Sequence, residues 1–345
     1  MSKIISLFIL LIPISFFANS AVILQYHHVS DSSPKSTSIS PELFLQHLDY
    51  IQNNNYEVVS LNTVMQALKA KQTINDNWVV ITFDDAYKDV LTHAHEALVT
   101  RNFPYSIFVN PDSIDLNTSA YLSWDELNLM AKEGVEINNH SLGHLHLVRQ
   151  LDNENKQQWK TRIKQNILEA QRQISEKTGQ NNRSFAYPYG EYNFALQQIL
   201  SELNLVGIGQ HSGAVDGHND LTQIPRFPVS SIYANLETLK VKLNTLAFNI
   251  KDQPKKTIQK NQNPEMTITL EVNDFNPDQL LCYAGSEVMT PTWIDKQTFT
   301  VQAMISQNVG RSRYSCTARS INKPDYYYWF SQPWMILNSD GSWYE

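Results

Sequence analysis

The sequence has few cysteines, no excess of positive charge and, beyond its first 20 residues, no long hydrophobic run. Its 345 residues include two cysteines, and the formal net charge is −7 at pH 7. The negative balance argues against a nucleic-acid partner, because binding a phosphate backbone requires a basic surface. No segment after residue 20 has the roughly 20 consecutive apolar residues that a transmembrane helix needs.

The first 20 residues have the pattern of a secretory signal peptide. Lys3 precedes an apolar stretch that runs from Ile4 to Phe17, and small residues follow it. The stretch is short for a bilayer span. We therefore predict export to the periplasm or the cell surface, with some association with the cell envelope. An uncleaved membrane anchor is the alternative.

The two cysteines, Cys282 and Cys316, both lie in the last quarter of the chain. Because an exported protein meets an oxidising compartment, we expect them to form a disulfide. Closing a loop of that length would stabilise a small C-terminal unit by roughly 3 to 4 kcal/mol in the chain-entropy model. The alternative is a pair of buried thiols.

The chain divides into two patterned regions. Residues 21–250 alternate short apolar runs with segments of helical period, which is typical of a parallel sheet covered by helices. Residues 251–265 are polar, contain two prolines and lack an apolar period, so we predict a linker. Within residues 266–345, the segments 266–272 and 299–303 alternate apolar and polar residues in period two, which favours a small β-sandwich. The predicted fold class is α/β, with a C-terminal β domain.

Residues that can carry chemistry follow four of the predicted strands. They are His27 and His28, then Asp84 and Asp85, then His140, and then the turn at residues 187–190. In a (β/α) barrel the ends of parallel strands converge on one rim, where such enzymes place their active sites. We therefore predict a barrel with one site built from these four segments.

Asp84 and Asp85 end the apolar run that begins at Trp78. An unpaired buried charge is costly, so two carboxylates at the end of a buried strand favour a catalytic or metal-binding role. His140 and His144 are spaced so that both imidazoles can reach one ion. Adjacent carboxylates cannot both stay free at neutral pH unless one binds a cation, so we assign Asp85 to the metal and Asp84 to the chemistry. A helix cap at one aspartate is the alternative.

Two further segments are ambiguous by themselves. Tyr187 and Tyr189 belong to a Tyr-Pro-Tyr-Gly turn whose backbone N–H groups can point at an oxygen. His27 and His28 follow a buried strand, where a structural histidine is the usual outcome. Spacing alone therefore assigns neither histidine to catalysis.

Three motifs in combination resemble those of the polysaccharide deacetylases, carbohydrate esterase family 4. They are Thr82-Phe83-Asp84-Asp85, His140-Ser141-Leu142-Gly143-His144 and Phe185-Ala186-Tyr187-Pro188-Tyr189-Gly190. The early segment Tyr26-His27-His28-Val29 resembles the permuted arrangement of poly-β-1,6-N-acetylglucosamine deacetylases. The resemblance covers residues 21 to 230. It implies a deformed (β/α) barrel that removes acetyl groups from N-acetylated amino sugars with a divalent metal, commonly zinc.

The resemblance also implies roles for single residues. Asp84 is the implied general base, and Asp85, His140 and His144 are the implied metal ligands. The backbone N–H of Tyr189 is the implied oxyanion donor, and His27 is the implied general acid. His28 competes with His27 for the last role, and we group Tyr187 with the oxyanion and substrate residues. Zinc is favoured, although two imidazoles and a carboxylate also suit Fe(II), Co(II) or Ni(II).

One position departs from the family pattern. Many members have arginine where this chain has Ala186, so the group that usually orients the base is missing there. Arg226 follows a late strand and is the predicted replacement, which we place among the substrate-side residues.

The predicted function is metal-dependent removal of N-acetyl groups from an N-acetylglucosamine-containing polysaccharide, with the poly-β-1,6-linked type favoured. The alternatives are the same chemistry on chitin oligomers or peptidoglycan, and an inactive barrel that only binds glycans. The C-terminal region is rich in aromatic residues, namely Trp293, Trp329, Trp334, Trp343 and Tyr326 to Tyr328. They could stack on sugar rings, or they could serve packing or docking of a protein partner.

Overall fold

The computed structural model describes residues 19–271 and 274–344. All but two residues of the predicted signal peptide lie outside these ranges, so the signal peptide stays a prediction. Within the ranges, no helix combines the length and the hydropathy that crossing a bilayer requires.

The N-terminal region is built on one parallel sheet. The strands of this region are β1 (Val22–Tyr26), β2 (His28–Val29), β3 (Ser38–Ile39), β4 (Glu57–Val58), β5 (Trp78–Asp84), β6 (Tyr105–Val109), β7 (Glu136–Asn139), β8 (Ser184–Ala186), β9 (Val206–Ile208) and β10 (Phe227–Pro228). Eight of them form the sheet, in the order β10-β1-β5-β6-β7-β8-β9, with β4 beside β5. β2 and β3 pair separately.

The sheet curves into an incomplete barrel. Its order ends at β9 on one side and β10 on the other, and a single bridge, Ile208 to Ile224, joins β9 to the segment before β10. This architecture confirms the predicted deformed (β/α) barrel.

In the part of the chain that the structure describes, eight α-helices cover the sheet. They are α1 (Pro41–Asn53), α2 (Leu61–Lys69), α3 (Glu96–Thr100), α4 (Pro111–Asp115), α5 (Trp124–Lys132), α6 (Lys156–Thr178), α7 (Phe194–Glu202) and α8 (Leu236–Leu243). Their limits follow local chemistry. Ser40 caps α1 with Pro41 in the first turn, Ser123 and Glu126 form a reciprocal capping box on α5, and Gly179 ends α6 at φ 72°. A π-helical turn, Val90–His95, precedes α3.

The alternation of side chains along β5 sets which groups enter the barrel. Val79, Ile81 and Phe83 pack in the core beneath the covering helices, whereas Val80 belongs to a separate core on the opposite face. Because successive side chains on a strand point to opposite faces, Asp84 shares the face of Val80. The carboxylate at the end of β5 is thus directed into the barrel.

The C-terminal region consists of two sheets. Its strands are β11 (Thr245–Ala247), β12 (Ile250–Asp252), β13 (Ile258–Gln259), β14 (Met266–Leu270), β15 (Leu281–Ala284), β16 (Glu287–Met289), β17 (Thr292–Trp293), β18 (Thr298–Val301), β19 (Gly310–Arg319) and β20 (Tyr327–Ile336). One sheet has the order β11-β20-β19-β15-β16, with β13 also pairing β20, and the other has the order β12-β14-β18-β17. One hydrophobic core draws residues from both sheets. The predicted β-rich second domain is confirmed.

The predicted domain boundaries stay a prediction, but the structure adds detail near residue 250. β11 and β13 pair with β20, and β12 pairs with β14, so residues on both sides of the predicted boundary join the C-terminal sheets. The predicted linker, residues 251–265, thus contains short paired segments.

The C-terminal aromatic residues have packing contacts. Trp334 is fully buried in the second core, and Trp329 packs edge to face on Phe227 of the barrel. The guanidinium of Arg149 lies 5.1 Å from the ring of Trp343. The two regions of the chain are therefore joined by aromatic contacts.

The disulfide is present as predicted. Cys282 on β15 is bonded to Cys316, the residue directly opposite on β19. The bridge therefore links neighbouring strands inside the second core.

Replacing both cysteines by alanine is expected to lower the free energy of unfolding of the C-terminal domain by about 3 to 4 kcal/mol, since the bridge closes a loop spanning 34 positions. Urea denaturation followed by tryptophan fluorescence measures the difference. The double variant should match the wild-type protein unfolded in the presence of a reductant. Equal stability of the oxidised wild type and the double variant would contradict a stabilising role for the bridge.

Candidate active site and metal centre

Asp84 is fully buried, and three donor groups hold its carboxylate. Arg226 donates from both terminal nitrogens, one to each carboxylate oxygen, at 2.7 Å. The Gln25 side-chain amide donates to Oδ2 at 2.6 Å. Burial alone would raise the pKa of Asp84, but the charges of Arg226 and His140 outweigh it and bring the pKa below its ordinary value. Asp84 is therefore an ionised carboxylate held in one orientation.

Arg226 is also fully buried, and two of its three other N–H groups donate inside the barrel. Its Nε donates to the Gly209 carbonyl at 2.9 Å, and Nη1 donates to Thr82 Oγ1 at 3.1 Å. The guanidinium lies 5.1 Å from the ring of Phe108. The predicted replacement for the missing arginine thus contacts the base. Grouping Arg226 with the substrate-side residues is corrected, because a fully enclosed side chain acts only through Asp84.

Asp85, His140 and His144 converge on one point. Asp85 Oδ1 lies 3.4 Å from His140 Nε2 and 3.5 Å from His144 Nε2. Ligand atoms from the three residues all lie within 4.8 Å of one another. Donor atoms held about 2.0–2.2 Å from one zinc ion in a tetrahedral arrangement lie about 3.3–3.6 Å apart. The spacing of the cluster therefore fits a shared metal ion.

His140 shows which ring nitrogen is available to a metal. Its Nδ1 lies 2.8 Å from the carbonyl oxygen of Ala186, which can only accept, so Nδ1 carries the proton. Nε2 is buried and has no hydrogen-bond partner in the described part of the chain. Buried polar atoms without a partner are rare and costly. A cation bound by Nε2 would satisfy it, and the Nδ1 contact to a carbonyl is typical of metal-bound histidine.

The protonation states of His144 and Asp85 also suit a metal. Burial would lower the pKa of His140, but the interaction with Asp85 outweighs burial and raises that pKa, so a metal there would replace a proton. Burial lowers the pKa of His144 to about 4, and the nearby His140 adds to this effect, so His144 is a neutral imidazole at pH 7. Burial would raise the pKa of Asp85, but its interaction with His140 outweighs this and the pKa falls below the ordinary value. Metal ligation requires an ionised carboxylate and a neutral imidazole.

Backbone strain is concentrated in these segments. Five non-glycine residues with left-handed backbone angles belong to them: Asp85 (φ 69°), Ala86 (φ 55°), Ser141 (φ 65°), His144 (φ 46°) and Tyr189 (φ 58°). This conformation costs a residue with a Cβ atom about 1–2 kcal/mol. Elsewhere in the described ranges, most non-glycine residues with left-handed backbone angles are asparagines, which tolerate this conformation. Strain of this kind collects at functional sites.

The structure separates the two adjacent histidines. His27 Nε2 lies 3.9 Å from Asp84 Oδ2. His28 Nδ1 instead lies 2.6 Å from Asp89 Oδ2, and its ring stacks on Tyr87 at 3.6 Å between centroids. His27 is therefore the histidine that adjoins the predicted base. Burial lowers the pKa of His27, although the carboxylates of Asp84 and Asp85 oppose this effect.

The assignment of Tyr187 to the oxyanion and substrate group is wrong. Its side chain is fully buried, and its hydroxyl donates to the Thr222 carbonyl at 2.7 Å. Its backbone N–H donates to the Ile208 carbonyl at 3.1 Å. Neither donor is available to a substrate, so Tyr187 supports the turn from within. The ring of Tyr189, by contrast, lies 4.4 Å from that of His144.

The sequence analysis missed the residues that hold the Tyr189 turn. The ring of His146 stacks on that of Tyr189 at 4.0 Å between centroids, and its Nδ1 lies 2.8 Å from Glu191 Oε2. The Tyr344 hydroxyl donates to Glu191 Oε1 at 2.7 Å, and Arg311 Nη1 donates to the Tyr189 carbonyl at 3.1 Å. The contacts of Tyr344 and Arg311 come from the C-terminal region, so no local motif predicts them.

Gln25 was missed as well, although the sequence contains a signal for it. It is the one hydrogen-bonding amide side chain in the otherwise hydrophobic and aromatic run of β1. A polar side chain within a fully buried strand requires a partner. The partner here is the base itself.

Comparisons with known proteins agree with this geometry. Residues 71–208 match the model of the family described as polysaccharide deacetylase. The chain carries a polysaccharide deacetylase domain. The matched segment contains the Asp84-Asp85 pair and both metal-site histidines, whereas His27 and Arg226 lie outside it.

The deacetylase domain also has relatives of similar sequence and fold. It is 25% identical over 209 residues, 60% of this chain and 71% of the relative, to the putative polysaccharide deacetylase YxkH of Bacillus subtilis (strain 168). The deacetylase PplD of Streptococcus pyogenes, solved with acetate, has a TM-score of 0.58 and 23% identity over 65% of this chain and 97% of that one. IcaB from Ammonifex degensii has a TM-score of 0.55 and 23% identity over 62% and 94%. The predicted resemblance to the polysaccharide deacetylases is confirmed.

Arg226→Ala is expected to lower the free energy of unfolding by about 3–5 kcal/mol at pH 7, because it leaves the Asp84 carboxylate buried without its cation. Arg172→Ala is the control, since Arg172 forms exposed pairs with Glu169 and Glu176, and its loss should cost far less. Chemical denaturation measures both. Similar losses of unfolding free energy in the two variants would show that the buried pair stabilises the fold no more than an exposed pair.

His140→Gln and Asp85→Asn are each expected to lower the affinity for Zn²⁺ at least about tenfold, because each removes one donor from a three-residue cluster. His218→Gln is the control, because His218 is exposed and pairs only with Asp216. Isothermal titration of the metal-stripped protein with zinc gives the affinities. Equal zinc binding by the three variants would exclude the cluster as the metal site.

Proposed function

We propose that the chain is a metal-dependent N-deacetylase that releases acetate from an N-acetylglucosamine-containing polysaccharide. The observation that carries this proposal is the Asp85, His140 and His144 cluster directly beside a buried, ionised Asp84. A hydrolase of this kind needs a metal site, a base and an acid within one pocket. His27 adjoins the base and is suited to be the acid.

When bound at the cluster, a divalent metal supplies Lewis acidity to the acetamide carbonyl and acidifies water. Asp84 accepts the proton of the attacking water, and Arg226 and Gln25 hold its carboxylate in place for that transfer. The backbone N–H of Tyr189 donates to the oxyanion that develops on the carbonyl. A new C–O bond forms, the C–N bond breaks, and acetate and a free amine leave.

His27 completes the proton balance. The leaving nitrogen must gain a proton as the C–N bond breaks. Burial lowers the pKa of His27, which favours the neutral imidazole at pH 7, and its Nε2 lies 3.9 Å from Asp84 Oδ2. A proton that passes from Asp84 to His27 can therefore be delivered to the amine.

The resemblance of Tyr26-His27-His28-Val29 to the permuted deacetylases favours a poly-β-1,6-linked N-acetylglucosamine polymer. Chitin oligomers and peptidoglycan remain the alternative substrates. The donor set favours zinc and also suits Fe(II), Co(II) or Ni(II). We further propose, from the pattern of residues 1–20, that the protein is exported to the periplasm or cell surface.

Acetate release from a panel of N-acetylglucosamine polymers tests the proposal. We expect release from at least one polymer, loss of release with a chelator and recovery with Zn²⁺. Asp84→Asn should lower kcat at least about 10²-fold, because it removes the proton acceptor. Asp49→Asn, at an exposed ion pair with Arg101, is the matched control and should leave kcat unchanged. Binding of polymers without acetate release would instead support a glycan-binding barrel.

A further inference from the structure

A cavity of about 680 Å³ lies between the barrel rim and the C-terminal sheet. The barrel contributes Tyr189 and Gln210, and the C-terminal sheet contributes Arg311, Arg313 and Trp329. Its volume falls within the range of about 300–1,000 Å³ that is usual for small-molecule sites. Both regions of the chain are needed to enclose it.

The cavity is connected to the candidate active site through Tyr189, whereas the residues of the metal cluster do not line it. Tyr189 lines it, and the ring of Tyr189 contacts that of His144 in the metal cluster. A polymer with one sugar unit at the metal cluster would therefore place a neighbouring unit in or near the cavity.

The C-terminal wall is cationic. Arg311 and Arg313 are two residues apart on β19, so their side chains leave the same face of the sheet. Both are exposed and both line the cavity. Neither forms an ion pair with a carboxylate in the described ranges, and Arg311 donates instead to a backbone carbonyl.

The barrel wall adds a basic residue, Lys242, whose pKa is lowered to about 7 by burial, so that it is mostly protonated at pH 6.5. Lys242 is 6% exposed, lines the same cavity and donates from Nζ to the Tyr233 carbonyl. Glu191 is the one carboxylate among the described lining residues, and His146 and Tyr344 occupy its two oxygens. The balance of fixed charge in the cavity is thus positive, in a chain whose net charge is −7.

We propose that this cavity holds the sugar unit that flanks the reacting unit, and that its cationic lining disfavours flanking units that carry a free amine. The inference rests on the proposed function, because each deacetylation turns a neutral acetamide into an amine. An amine with a pKa of about 7.7–8.0 is mostly protonated at pH 6.5. The positive charge of a protonated sugar amine would be repelled by Arg311 and Arg313.

This charge selection predicts a pattern in the product. A unit next to an already deacetylated one becomes a poorer substrate, so free amines are spaced along the polymer rather than contiguous. The C-terminal domain then determines where the barrel acts.

The test compares two β-1,6-linked pentamers of N-acetylglucosamine, one fully acetylated and one with a single free amine. At pH 6.5 the zinc-loaded protein should deacetylate the units next to the free amine with a kcat/KM at least about fivefold lower than the same units in the fully acetylated pentamer. This ratio of the two kcat/KM values measures the charge selection. Arg313→Glu should reduce that ratio at least about threefold, as should raising the salt concentration to about 1 M. Mass spectrometry locates the acetyl groups removed.

Arg319→Glu is the matched control. Arg319 lies on the same strand, is exposed and donates to the Pro324 carbonyl, but it does not line the cavity. Its charge reversal should leave the ratio unchanged. A wild-type ratio near one, or equal ratios for the wild type and Arg313→Glu, would overturn the proposed charge selection.

Binding separates this inference from the proposed function. In zinc-loaded Asp84→Asn, calorimetry should show weaker binding of the amine-bearing pentamer, and Arg313→Glu in that background should reduce the difference. If the wild type releases no acetate, the proposed enzymatic function is refuted. The binding comparison still tests the flanking subsite in that case. Equal affinities for the two pentamers, or no binding of either, would refute the flanking subsite.

Discussion

The pair formed by Arg226 and Asp84 inside the barrel is the interaction on which the site depends. A carboxylate enclosed at the end of a strand would be protonated or destabilising by itself, and the bidentate guanidinium keeps it ionised and fixes its orientation. Arg226 in turn donates hydrogen bonds to Gly209 and Thr82. The pair therefore joins the end of β5 to the segments that carry Gly209 and Arg226. Because neither partner has freedom to rotate, the position of the base is set by the fold itself.

The metal cluster follows from the same strand end. Adjacent side chains on an extended strand point in opposite directions, so two neighbouring carboxylates can serve one site only if the backbone turns between them. The left-handed conformation at Asp85 provides this turn at the end of β5. The same backbone strain recurs at Ser141, His144 and Tyr189, and the tertiary structure around the rim must offset it. The arrangement therefore depends on the whole barrel rather than on any single motif.

Local sequence patterns were sufficient to place four chemistry-bearing segments at the ends of parallel strands and to select the residues of the metal cluster. The limits of β1 and β6 follow directly from apolar runs, and the departure at Ala186 pointed to a compensating cation that the structure places at Asp84. A motif does not state which of its side chains faces inward, and for this reason Tyr187 was misassigned. The contacts of Arg311 and Tyr344 join residues more than 100 positions apart, and no periodicity reports such pairings.

The hydrogen bond between Tyr344 and Glu191 joins residues 153 positions apart. The entropy of closing the intervening loop opposes a contact of such long range. In a chain synthesised from its N-terminus, the barrel is complete in sequence well before Tyr344 emerges. The loop that carries Tyr189 then reaches its final packing only when the downstream sheet docks, so maturation of the reaction centre is coupled to completion of the second domain.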